Sequence, residues 1–233
     1  MDLKVESEKM EEARELVSNR LLWPLVRDFL WDFAPQIHTS WMEEIQTSDY
    51  DFVKSEVRSP KSSPRIKRYI LDSLGVEPCF HAFPKDDGSR LLLLDGATLV
   101  SVVKWLGALA CADALRRVTD GATVRELKTV LPGVYPEVFG YTEYFRKSKV
   151  EGAKFEAKGH AGESIAEIGH SLLIAPINSL PKPLLERLKF KLPKAMSMPR
   201  SSDSRLSTSN FQLSNLQLLL KLRFPEAYKL CCS

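Results

Sequence analysis

Little in this chain could carry out chemistry. Only four cysteines occur among 233 residues, Cys79, Cys111, Cys231 and Cys232, and none forms a Cys-x-x-Cys pair. The pattern suits a reducing cytosol rather than a disulfide framework. Of the four histidines, His38, His81, His160 and His170, no two are spaced i, i+4 on one helical face. With no Cys pair to supply the other half of a zinc site, neither a metal nor a cofactor is expected. No glycine-rich loop leads into a Lys-Ser/Thr pair, because Gly152, Gly159 and Gly162 fall in a polar connector. That excludes a phosphate cradle. The net charge of +3 is small for this length and gives little long-range steering. No apolar run reaches the roughly 20 residues of a membrane helix. The best stretch, Gly96 to Ala112, holds Lys104 near its centre, with Asp95 and Asp113 at its margins. Direct membrane insertion is not expected. The first 20 residues are too charged to read as a signal peptide.

What the chain does have is helix-forming pattern. A length of 233 residues with 44% hydrophobic content suffices for a full core. The pattern predicts a mostly α fold, a single irregular multi-helix domain. Residues 1–28 read as a charged extension in which Ser7 can cap a helix over 8–22, and residues 29–233 read as the domain itself. Leu25 to Phe33 is so apolar that it must be buried in a core or an interface. Ser40 can cap a short helix starting at Trp41. A helix is predicted over 65–74, stopped by Gly75. Between residues 79 and 94 the Asp87-Gly88 turn admits one short β-hairpin, with an extended loop packed on helices as the alternative.

The densest signal runs from Arg90 to Leu131. Asp95 can open a helix over 97–117 whose Gly107, Ala108, Ala110, Ala112 and Ala114 let another helix approach closely. Asp120 can cap a second helix with Val124, Leu127 and Leu131 inward, ended by Pro132-Gly133. A third is predicted over 136–147, behind a proline. After a connector at 148–160 come helices over 163–174 and in LLERLKFKL, then a Ser-rich segment at 195–210 read as disordered. A last helix, 211–224, turns Leu213, Leu216, Leu220 and Phe224 inward.

Two chemical constellations fail on context. Gly162-Glu163-Ser164-Ile165-Ala166 approaches the hydrolase elbow, but a polar connector rather than a strand precedes Ser164, and its last position is alanine. The helix, Pro-Gly turn and helix over 123–147 resembles a DNA reader in outline. Its second helix, however, would begin Pro136-Glu137-Val138-Phe139, an acidic and apolar start unsuited to base edges. A helical nucleic-acid-binding regulator is the alternative class. Arg116 and Arg117 are the sharpest polar feature. They either compensate the end of their helix or meet a carboxylate on a partner. Arg125 is assigned with them to a partner-facing set, and Trp41 is assigned as an anchor for the N-terminal motif. The strip Arg187, Lys189, Lys191 and Lys194 reads as a solvated face.

Four ordered segments resemble one family. They are Phe33-Ala34-Pro35 followed by His38-Thr39-Ser40-Trp41-Met42; Trp105 to Leu127; Leu180 to Pro193; and Phe224-Pro225-Glu226. In this order they are similar to the SctK family of type III secretion accessory proteins, also called YscK, PscK, OrgA and MxiK. The resemblance covers about residues 29–230, and it departs in the charged start and the Ser-rich insert. It implies a mostly helical, non-enzymatic adaptor at the cytosolic face of the bacterial inner membrane. Such an adaptor would link the pod protein SctQ to the ring protein SctD and, indirectly, to the stator SctL and the ATPase SctN.

Overall fold

The computed structural model describes residues 22–43, 45, 63–77, 83, 87–145, 161–197 and 213–232. Helix accounts for 74% of this interpretable part, and no strand occurs among the described residues. The mostly α expectation is met. In chain order the α-helices are α1 Leu22–Leu30, α2 Thr39–Met42, α3 Pro64–Ser73, α4 Asp87–Arg90, α5 Gly96–Ala110 and α6 Ala112–Leu115. They continue with α7 Gly121–Val130, α8 Ala161–Ile174, α9 Lys182–Lys191, α10 Lys194–Ser197, α11 Leu213–Arg223 and α12 Pro225–Cys232. Short 3₁₀ turns occupy Ala34–Gln36, Leu91–Leu93, Glu137–Gly140 and Ala175–Ile177. The chain divides into two compact units. One comprises residues 1–96, 180–192 and 229–233, and the other residues 97–179 and 193–228.

In the first unit, α1 starts at Leu22, so the expected boundary at 28 falls inside a helix. Val26, Phe29, Leu30 and Phe33 are buried, while Leu25 and Trp31 stay exposed. α2 is capped by His38 rather than Ser40: the His38 Nδ1 accepts from the Ser40 amide at 3.2 Å. The hairpin near 79–94 is corrected. Asp87 opens helical turn α4 and a 3₁₀ turn follows, while residues 78–82 and 84–86 lie outside the described residues. Leu91, Leu92, Leu93 and Leu94 are all buried, a pattern an alternating strand with one wet face cannot produce.

The late segment α9 completes this unit. Helix ends leave carbonyls without intrahelical donors, and here α9 and the N-terminal elements satisfy one another's. Arg187 donates to the Phe29 carbonyl near the end of α1 at 3.0 Å, and to the Glu77 carbonyl at 3.1 Å. Lys191 donates to the carbonyls of Leu92 at 2.6 Å and Leu94 at 2.9 Å. In return the Trp41 indole Nε1 donates to the Leu192 carbonyl at 2.8 Å, and the His38 amide donates to the Phe190 carbonyl. The solvated-strip reading is therefore corrected: Arg187 and Lys191 are each only 2% exposed. Phenyl rings complete their surroundings, Phe33 against Arg187 and Phe29 against Lys191, each 4.9 Å away. Burial pushes the Lys191 ammonium down to about 7, with the Asp95 charge pulling the other way.

In the second unit, α5 and α8 cross at glycine. A Cβ at Gly107 would run into the Ile165 backbone carbonyl, and one at Gly169 into the Val103 carbonyl. The small-residue surface expected of this stretch thus receives a helix. The predicted helix over 97–117 ends at Ala110, and Cys111 (φ −92°, ψ 4°) separates it from α6. Burial pushes the Cys111 thiol up to about 12, the state of an inert core thiol. Asp120 caps α7 as predicted, its carboxylate accepting from the Thr123 amide at 2.8 Å and its hydroxyl at 2.7 Å. Those hydrogen bonds hold its pKa below the usual value. The helix expected over 136–147 is instead a chain of turns around Glu137–Gly140. α8 packs on α7 and α10, so the first residues of the supposed disordered segment are helical. Residues 1–21, 146–160 and 198–212, with the extension helix, the connector and most of the Ser-rich segment, lie outside the described residues.

Candidate partner-binding surface

The arginines singled out from the sequence surround the exposed α6–α7 turn. Arg116 caps α6 at its C-terminal end, where a cation favours the helix dipole. Its guanidinium donates to Thr142 Oγ1 at 2.7 Å and lies over the Phe139 ring at 5.5 Å. Asp113 stands 4.0 Å away. Arg116 is therefore tied to the turn that follows α7, with about half of its side chain still in water (47%). Arg117 is exposed and its side chain makes no hydrogen bond or ion pair among the described residues. Arg125 is exposed on α7, its Nε donating to the Gly121 carbonyl one turn earlier at 3.2 Å. Both helix-end compensation and an outward guanidinium surface are present at this turn.

Trp41 is placed differently from the arginines. It is 2% exposed, edge-on to Phe190 at 4.9 Å, with Lys189 Nζ 5.1 Å from its ring. It anchors the N-terminal motif to α9 from inside the first unit and offers no outward face.

Sequence reading missed two groups. The first is the buried pair Arg187 and Lys191. Leu184, Arg187, Leu188 and Lys191 repeat at i, i+3, i+4, i+7, so both cations occupy the inward stripe, a signal present in the sequence itself. The second is Arg223, which carried no signal because its partners lie far along the chain. It pairs with Glu137 at 2.8 Å, donates to the Tyr141 hydroxyl at 3.1 Å and stacks on Trp105 at 4.4 Å. It clamps α11 to α5 and to the turns after α7. Tyr144, beside this clamp, is 60% exposed.

The catalytic and nucleic-acid constellations find no support in this geometry. Ser164 lies inside α8 rather than on a strand-to-helix turn. The would-be recognition helix after Pro132-Gly133 is a 3₁₀ turn too short to lie in a groove. Among the described residues no three His, Cys, Asp or Glu side chains gather as metal ligands. No described helix is long and apolar enough to cross a membrane.

Residues 28–134 match the family model described as YOP proteins translocation protein K (YscK). The match takes in the motifs at Phe33–Met42 and Trp105–Leu127, while those at 180–193 and 224–226 lie beyond it. No curated protein and no solved structure matches the chain.

Proposed function

From the YscK family of type III secretion, to which residues 28–134 belong, we propose that this chain is a structural adaptor of the injectisome's cytosolic sorting platform. The family is one of secretion-system accessory proteins and not a known enzyme family. The adaptor links an SctQ-type pod protein to an SctD-type inner-membrane ring protein at the cytosolic face of that membrane. Through the pod it connects to the SctL stator and the SctN ATPase. It works by binding through helical faces, without turnover.

The observation that carries this reading is the family match, supported by an exposed arginine set at 116, 117 and 125 on a turn held by internal packing. Arg117 and the outer guanidinium nitrogens of Arg125 make no hydrogen bond or ion pair among the described residues and suit carboxylate recognition, while the Arg116 guanidinium is already held by Thr142 and Phe139. Charge reversal tests it. Arg117→Glu with Arg125→Glu, and separately Arg116→Glu with Arg117→Glu, should abolish co-purification with the pod or the ring protein while leaving far-UV circular dichroism unchanged. Normal capture of both partners by both variants would end the assignment of these arginines.

A further inference from the structure

An adaptor needs a second contact surface besides the arginine turn, and the first unit carries a candidate on α3. The helix is two-faced. Ile70 is fully buried, Ile66 and Lys67 are half-buried, and Lys67 pairs with Asp32 at 2.8 Å. Arg65, Arg68, Tyr69 and Asp72 follow i, i+3, i+4, i+7 spacing on the opposite, exposed face. Tyr69 is 48% exposed, one of the few large aromatic side chains left in water among the described residues. The Arg65 side chain makes no hydrogen bond or ion pair among them. Arg68 meets only Asp72, at 2.9 Å, and both partners are more than half exposed. A pair that wet contributes little and exchanges readily for a better carboxylate.

Charge says what should come to this stripe. Residues 54–68 hold Lys54, Arg58, Lys61, Arg65, Lys67 and Arg68 against the single acid Glu56, a net +5 in a chain whose total is only +3. Within α3 itself Arg65, Lys67 and Arg68 stand against Asp72 alone, so the helix is net positive. Two guanidiniums flanking an exposed phenol are the side-chain types that dominate interface energetics. Ser63 caps the helix and Pro64 opens it, so the stripe is presented on a fixed element.

We propose that the outward stripe of α3, Arg65, Arg68 and Tyr69, docks an acidic segment of a partner protein. The inference rests on the adaptor reading and supplies its second surface. Carboxylates of the partner take the guanidinium forks bidentately, and the Tyr69 ring covers the apolar part of the segment. A lipid surface is the poorer occupant, because the stripe offers no aliphatic side chain to insert.

The test uses the full chain and two probes, a synthetic polyglutamate peptide and the co-expressed pod and ring proteins of the same bacterium. Arg65→Glu with Arg68→Glu should weaken polyglutamate binding and capture of one of the two proteins by at least about tenfold, leaving the other unaffected. Tyr69→Ala should weaken both readouts more mildly. Binding by the unmodified chain should fall as salt rises from about 50 to about 300 mM. The charge-matched control Lys182→Glu with Lys221→Glu should bind normally. If the unmodified chain captures neither protein, the adaptor reading fails, while polyglutamate binding that the Arg65/Arg68 reversal abolishes still supports an acid-binding stripe. The proposal is overturned if the Arg65/Arg68 variant keeps both proteins and the peptide at unchanged affinity. It is equally overturned if the reversal abolishes binding to phosphatidylglycerol vesicles but leaves peptide and proteins bound.

Discussion

Lys191 ties the stability of the first unit to pH. Burial strips the ammonium of water and lowers its pKa from 10.5 to about 7, against the opposing pull of Asp95. In the unfolded chain it stays protonated until pH approaches 10.5. Between those values the unfolded state binds more protons than the folded one, so this group makes stability rise with pH from about 7 upward; below 7 its contribution is flat. Lys191→Met should remove that rise, which thermal melts between pH 7 and pH 10 would register as a flattened Tm profile. It should also lower stability above pH 8, because the Leu92 and Leu94 carbonyls lose their donor. A variant with an unchanged slope would show that another group titrates. The charge of Lys191 suggests an exposed lysine, but its position places it on the inward stripe of Leu184 and Leu188. The same holds for Arg187, one turn earlier.

At the level of helices, legibility followed local chemistry. Asp120 and Thr123 lie three residues apart, so the cap of α7 could be read directly. Gly107 amid alanines announced a close crossing, which α8 makes, although nothing local named α8 as the visitor. Aromatic bulk suggests a helix over 136–147, but the described part, 136–145, is a run of turns. Val138, Phe139, Tyr141, Thr142, Tyr144 and Phe145 are weak helix formers, and Gly140 sits among them. The crossing makes a sharp prediction. Alanine is normally the better helix residue, by up to about 1 kcal/mol over glycine. At Gly107 the new methyl meets the Ile165 backbone, so Gly107→Ala should cost at least about 2 kcal/mol in urea titration. Gly121→Ala, at the start of α7 with open space around its Cβ position, should be neutral or stabilising. Equal effects at the two sites would refute the close contact.

Across the whole molecule, the stretch that carries the family match is not a folding unit. It stops at residue 134, inside the second unit, and omits the 180–192 segment that the first unit requires. A fragment spanning residues 22–134 should therefore lack Arg187, Lys191 and the Leu192 carbonyl, leave the Trp41 indole and the α1 end unsatisfied, and show no cooperative thermal transition. A fragment that melts as sharply as the full chain would contradict this. The division was illegible in the sequence for a physical reason. No linker composition marks a boundary when one unit is closed by a segment that returns from far downstream.

That return has a consequence for biogenesis. The residues packed against Arg187 and Lys191 leave the ribosome first, but their covering helix is made roughly a hundred residues later, on the order of 5–20 s at bacterial elongation rates. Throughout that interval the nascent N-terminal half displays Phe29, Phe33 and Leu91 to Leu94 without their lid. Burial of these side chains therefore waits on synthesis of the downstream segment.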